Sequence, residues 1–258
     1  MTTPELSVII PAYNEAAVIG QTVQAVARYL GGQGISYEVL VVDDGSTDDT
    51  VRRVHDLMAA VPSLRLLGAS HRGKGAAVKH GVLAAQGRYV LFMDADYSTR
   101  IQEWQQCLPW LQDGYEVVIG SRKMAGATVV KHQSPLREAM GKVFTWLTNE
   151  LLHTHVTDIT CGFKCFRREA AQHLCGLQQM TGWTFDAELL FLARRLGYRL
   201  KEVPVMWADD RSTKVRLAAD TLRSLTELLR IRWGARRGVY GPDASGPVRQ
   251  RREIESRA

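Results

Sequence analysis

One rhythm constrains this chain more than any other feature: a short apolar run, a polar loop, then apolar residues at helical spacing. Residues 6–10 are the first such run. It breaks at Pro11-Ala12-Tyr13-Asn14-Glu15, after which Val18, Ile19, Val23, Val26 and Leu30 recur on one helical face. Residues 38–42 repeat the pattern and run into Asp43-Asp44-Gly45-Ser46-Thr47-Asp48-Asp49-Thr50, a stretch of turn and helix-cap residues. A third strand is expected over 64–67 with a helix over 75–85, and a fourth strand over 88–93. Strands that alternate with helices at this spacing predict a mostly parallel sheet flanked by helices. Such a sheet binds ligands at the carboxyl ends of its strands. The loops at Pro11, Asp43 and Asp94 should therefore share one rim.

The fourth run ends at Asp94-Ala95-Asp96. Two carboxylates one residue apart, on backbone leaving a strand, can turn toward one point and hold a hard divalent cation, Mg2+ or Mn2+. A cation held by so few carboxylates takes its other ligands from water and phosphate oxygens, so the expected substrate is a diphosphate. Asp43 and Asp44 stand where a carboxylate can accept an N–H of uracil or guanine, although capping of the following helix would use the same residues. Gly68-Ala69-Ser70-His71-Arg72-Gly73-Lys74-Gly75 almost spells a nucleotide-hydrolase phosphate loop, but Gly75 lacks the hydroxyl that loop needs for magnesium. A basic loop beside a helix N-terminus is what survives, with Arg72 and Lys74 able to face a diphosphate.

With 258 residues and 45% hydrophobic content the chain can bury one large α/β core, here assigned to residues 1–233. Its net charge of +6 suits an anionic partner, and no nucleic-acid motif accompanies that charge. Cys107, Cys161, Cys165 and Cys175 form neither Cys-x-x-Cys nor a zinc pattern and read as reduced thiols in a cytoplasmic protein. No basic segment precedes the first apolar run, and no stretch is long enough to span a bilayer, so neither a signal peptide nor a transmembrane helix is expected. Any membrane association would be peripheral.

The second half is less regular. Strands are expected over 116–119, 162–166 and 200–205, with a helix over 136–152. Trp183, Phe185, Asp186 and Glu188 form an acidic cluster ahead of the helical run at Leu189, and residues 212–216 form a basic loop after a strand. The seven histidines stand in no recognisable catalytic context. An amphipathic helix is expected over 217–233. Leu217, Leu222, Leu225, Leu228, Leu229 and Trp233 share one arc, Asp220, Arg223, Glu227 and Arg230 lie opposite, and Ile231 and Arg232 break the pattern. Residues 234–258, rich in Gly, Pro and Arg, read as a disordered basic tail.

Taken in order, Ser7-Val8-Ile9-Ile10-Pro11-Ala12-Tyr13-Asn14-Glu15, Val41-Val42-Asp43-Asp44-Gly45-Ser46, Arg72-Gly73-Lys74-Gly75 and Asp94-Ala95-Asp96 resemble family 2 glycosyltransferases of the GT-A fold. Asp158-Ile159-Thr160-Cys161-Gly162-Phe163-Lys164, Trp183-Thr184-Phe185-Asp186-Ala187-Glu188 and Val203-Pro204-Val205-Met206-Trp207 look like the dolichyl-phosphate glucosyltransferase branch. The resemblance implies inverting transfer of glucose from UDP-glucose to a polyprenyl phosphate, at the inner face of the cytoplasmic membrane. It implies a nucleotide-sugar site at Pro11, Ala12, Tyr13, Glu15, Asp43, Asp44, Lys74, Asp94, Ala95 and Asp96, with the metal on Asp94 and Asp96. It implies Arg122, Arg137, Lys164 and Lys214 as cations for the acceptor phosphate, and Asp186 with Arg122 beside the reacting centre. GDP-mannose as donor and a soluble or polysaccharide acceptor are the neighbouring alternatives. A non-catalytic nucleotide-sugar or lipid-phosphate binding protein is the alternative from another class.

Overall fold

The computed structural model describes residues 3–131, 135–208 and 217–241. Its first four strands, β1 (Leu6–Ala12), β2 (Tyr37–Asp43), β3 (Leu64–Gly68) and β4 (Tyr89–Met93), alternate with α1 (Ile19–Gly31), α2 (Thr50–Met58) and α3 (Lys74–Ala84). All four strands run parallel, in the spatial order β3-β2-β1-β4. Their continuous apolar runs follow from burial on both faces. Ile9, Leu40, Val42, Val90 and Phe92 enter one core layer, while Val8, Ile10, Val39, Val41, Leu91 and Met93 enter the other.

After β4 come α4 (Trp104–Gln112), β5 (Val117–Ser121), β6 (Thr128–Lys131), α5 (Pro135–Leu152) and β7 (Phe163–Arg167). The described residues continue with α6 (Arg168–Leu177), α7 (Phe185–Arg195), β8 (Leu200–Pro204), β9 (Met206–Ala208) and α8 (Leu217–Arg236). The sheet has seven strands in the order β3-β2-β1-β4-β7-β5-β8. β7 is its antiparallel member, bonded to both β4 and β5. This strand enters the sheet from the carboxyl rim, so residues 158–162 lie on that rim instead of at the opposite end. The parallel pair β6–β9 forms a separate two-stranded sheet, too short to show periodicity in the sequence.

Helix α8 departs from its expected wheel. Leu228 and Ile231 are both fully buried, whereas Leu229 and Trp233 are half exposed or more. The core stripe is thus Leu228, Ile231 and Ala235, and the expected pattern-breaker Ile231 is part of it. The helix also runs three residues past its expected end, to Arg236, and Tyr240 beyond it is buried. Residues 234–241, expected to begin a disordered tail, are therefore packed on the domain, because Ala235 and Tyr240 supply apolar surface that composition alone conceals. Residues 242–258 lie outside the described set. Among the described residues no helix is long and apolar enough to cross a membrane.

Candidate active site

The rim begins where β1 and β2 end side by side, with Ala12 in register with Asp43. Four contacts stitch the loop after β1 to the loop after β2. Asn14 N–H donates to Ser46 Oγ (2.9 Å), Glu15 N–H to Thr50 Oγ1 (2.8 Å), Ala16 N–H to Asp48 Oδ2 (3.1 Å), and Thr47 N–H to Asn14 Oδ1 (2.7 Å). The Asp43 carboxylate closes its own turn by accepting from Gly45 and Ser46 N–H, the local role its residue type also predicted. Asp44, 3% exposed, accepts the backbone N–H groups of Arg72 and Gly73, each at 2.9 Å. It thereby ties the basic loop ahead of α3 to the β1–β2 side of the rim. His71 in that loop lies 2.9 Å from Asp44 Oδ2 and stacks on Tyr13, ring centroids 4.1 Å apart. No sequence pattern had singled out this histidine. Its place depends on a turn that folds residue 71 back over residue 13.

At the centre stand Asp94 and Asp96. Asp94 N–H donates to Gly162 O (3.2 Å), and a Cβ on Gly162 would sit 1.9 Å from Asp94 Oδ2. Only glycine leaves room for that carboxylate beside β7. Lys74 Nζ pairs with Asp94 Oδ1 and lies 5.3 Å above the Trp183 ring. Burial pushes the Lys74 ammonium down, but Asp94 and Asp186 more than reverse this and hold it above its usual range. The Asp96 carboxyl is raised by burial and then by the neighbouring Asp94 charge. Its Oδ1 accepts from Ser98 N–H at 2.9 Å.

Asp186, in the first turn of α7 and 4% exposed, faces Lys164 at 2.6 Å. Burial raises its carboxyl, partly offset by Lys164 and Lys74. Lys164 is 0% exposed and gives a second bond to Cys161 O at 2.7 Å. The expectation that Lys164 meets an acceptor phosphate is therefore corrected. It is a strand residue turned into the core, where it compensates Asp186. Arg122, just past β5, binds Asp158 through two nitrogens, Nε at 2.6 Å and Nη2 at 2.8 Å, and its Nη2 also reaches Thr160 Oγ1. Burial pushes Asp158 up, yet the Arg122 guanidinium outweighs it and holds the carboxyl below the usual range. The Cys161 thiol is pushed up to about 12 by burial and stays protonated. Arg137 stands in the first turn of α5 with its side chain outside the described residues, and Lys214 lies outside them altogether.

The donor set suits a divalent cation. Asp94 and Asp96 offer hard oxygens and a local excess of negative charge, which Lys74 partly offsets. Among the described residues no third His, Cys, Asp or Glu joins them, so a cation held here would have open positions for phosphate oxygens and water.

A model of the family described as Glycosyl transferase family 2 matches residues 7–175, which carry this rim apart from Trp183 and Asp186. The chain belongs to that family. A dolichyl-phosphate beta-glucosyltransferase of Dictyostelium discoideum is 31% identical over 91% of this chain and 76% of its own length. The enzyme of the same name from Drosophila melanogaster is 34% identical over 82% of this chain and 69% of its own length. Among solved structures, the Mycobacterium tuberculosis glucosyl-3-phosphoglycerate synthase in complex with Mn2+, UDP and glucosyl-3-phosphoglycerate matches with a TM-score of 0.64. It is 23% identical and covers 90% of this chain and 80% of that chain, a likeness of fold. The GT-A architecture expected from the sequence is what the glycosyltransferase has.

Proposed function

We propose that this family 2 glycosyltransferase moves glucose from UDP-glucose to a polyprenyl phosphate, with inversion at the anomeric carbon. The observation that carries the reading is one rim that joins Asp94, Asp96 and Lys74 to the paired ions Arg122–Asp158 and Lys164–Asp186. The glucosyltransferase names and coverage of the relatives support the donor sugar and the acceptor class. A phosphate monoester is anionic at neutral pH, its second pKa near ~6, so its oxygen can form the new bond to C1 without a strong base. The old C1–O bond breaks as the new one forms, and its electrons go to the nucleoside diphosphate.

A divalent ion on Asp94 and Asp96 would supply compensation for the charge that builds on that leaving group. Lys74 adds a fixed positive charge from the loop gripped by Asp44. Asp186, held by Lys164, orients sugar or acceptor and is not free to act as a base. Arg122 presents one edge of its guanidinium to Asp158, which fixes the plane in which its remaining N–H groups can meet an acceptor oxygen. Lys214 and Arg137 complete the proposed acceptor cations.

Peripheral binding at the inner face of the membrane belongs to the same proposal. Val143 and Trp146 on α5, and Leu229 and Trp233 on α8, are exposed apolar residues. A groove of about 570 Å³ between those helices combines Leu151, Leu229 and Trp233 with Arg230, Arg232 and Arg236. Aromatic and apolar residues ringed by arginines suit the boundary between acyl chains and anionic headgroups.

The test is transfer from radiolabelled UDP-glucose to a short polyprenyl phosphate, with Mn2+ or Mg2+ and with chelator. Cation-dependent label in the lipid phase is the expected result. Transfer with GDP-mannose alone would remove the glucose assignment, label confined to water-soluble products would remove the lipid acceptor, and nucleotide binding without any transfer would leave a binding protein.

A further inference from the structure

The packed end of the chain meets the site through one buried carboxylate. Glu188 is 0% exposed, two residues after Asp186 on α7. It accepts Gln179 N–H at 3.0 Å and Met180 N–H at 2.8 Å, and its remaining partner is the phenol of Tyr240, Oη to Oε1 at 2.7 Å. No cation forms an ion pair with it among the described residues, so these donors, helped by the charge of Lys79, compensate a carboxylate that burial disfavours. Tyr240 is 5% exposed and packs edge-on to Phe191 of α7, while Arg195 of α7 holds the Ala235 carbonyl at 3.3 Å.

The loop that Glu188 grips is the wall of the Lys74 site. Gln178 Nε2 donates to Gly75 O (3.0 Å) and Met180 O (2.7 Å), and Ala76 N–H donates to Thr181 O (3.1 Å). A Cβ on Gly75 would lie 2.6 Å from Phe185 Cβ and 2.9 Å from Met180 O, so α3 begins in van der Waals contact with this loop. The same loop carries Trp183, over which Lys74 Nζ sits.

We infer that Tyr240 is a positioning residue: through Glu188 it fixes the 178–184 loop against the start of α3, and so sets where Lys74 stands for a nucleotide diphosphate. The donor half of this statement rests on the proposed function; the clasp itself does not. Removing the phenol leaves Glu188 one donor short, and the carboxylate can then relax only by drawing on the loop it holds.

Tyr240→Phe in the full chain keeps the packing and deletes the bond. Amide exchange of Gln179 and Met180 should speed by about tenfold, the effect of one hydrogen bond to a charged group, while exchange in β1 and β4 is unchanged. UDP affinity, measured by calorimetry with Mn2+, should fall severalfold, and KM for donor should rise more than kcat falls. Tyr240→Phe and Glu188→Gln should be non-additive in exchange and affinity, because they break the same contact. Wild-type exchange at Gln179 and Met180 in Tyr240→Phe would overturn the clasp. Faster exchange with unchanged UDP affinity would overturn its link to Lys74. If the wild-type protein binds no UDP, the donor reading fails, and the exchange result still decides the clasp.

Discussion

The two halves of the rim handle charge in opposite ways. On the β1–β4 side, apart from the Lys74–Asp94 and His71–Asp44 pairs, carboxylates bind backbone: Asp44 holds Arg72 and Gly73 N–H, Asp43 holds Gly45 and Ser46, and Asp96 holds Ser98. On the β5–β7 side, charges bind each other in buried pairs, Arg122 with Asp158 and Lys164 with Asp186. The first arrangement shapes loops and leaves Asp94 and Asp96 with negative charge to offer a ligand. The second fixes side chains on the sheet and has little net charge to offer. A half with net negative charge thus faces a half whose ions are already matched, and under the proposed function an acceptor phosphate would find its positive charge at the edges of those pairs.

The largest effect that would break this comparison is on turnover. Asp96→Ala should lower kcat by at least about 10²–10³-fold, the scale of losing a main electrostatic stabiliser, with thermal stability little changed. The substitution removes a carboxylate that burial and Asp94 already disfavour. Steady-state kinetics beside a melting curve check both parts, and unchanged turnover would reduce Asp94-Ala95-Asp96 to a turn.

The matched half should fail the other way, in stability. Lys164→Met leaves Asp186 buried without its partner and should cost about 3–5 kcal/mol by denaturant unfolding. Adding Asp186→Asn should recover much of that loss but not the activity. If Lys164→Met is as stable as wild type and binds acceptor phosphate less well, Lys164 is a ligand after all and the two halves are not distinct in this respect.

Acid sharpens the contrast further. The Asp158 carboxyl is held below its usual range because Arg122 outweighs burial, so it binds protons less readily folded than unfolded. Its contribution is therefore fully present above the ordinary carboxylate pKa and is lost as pH falls through the lower folded value. Asp158→Asn should flatten the decline of melting temperature at the acid end of that window and leave the slope near neutral pH unchanged. An equal slope in both proteins would mean that the pair does not govern acid stability.

The legible part of the molecule follows the same division. Strand, loop and helix are legible in the first half because the strands are short apolar runs and the loops between them are polar and rich in turn residues. The loops at Pro11, Asp43 and Asp94 could thus be placed on one rim from spacing alone. Three features resisted for physical reasons, two of them in the second half. Lys164, expected beside an acceptor phosphate, turns into the core because Asp186 of α7 packs against that face of β7, a tertiary contact with no local sequence signal. His71 reaches Tyr13 only through tertiary folding of a loop. Tyr240 lies in a segment whose Arg and Gly content resembles disorder, and only its partner 52 residues away makes it order.

Helix α8 gives the smallest and most discriminating test, because it carries two apolar stripes that a helical wheel merges. Ile231 is 0% exposed and Trp233 is 59% exposed, although they are two residues apart. Ile231→Ala should cost about 2–5 kcal/mol, the usual range for emptying a core aliphatic site. Trp233→Gln should change stability by no more than about 0.5 kcal/mol, since its ring is mostly in water and packs on Arg237. The larger residue is thus expected to matter less to folding. If Trp233 is nevertheless retained for contact with lipid, Trp233→Gln should lower partition onto anionic vesicles while transfer to a short water-soluble polyprenyl phosphate stays at the wild-type rate. Equal partition by both proteins would return the α5–α8 face to ordinary solvent exposure and leave the rim chemistry untouched.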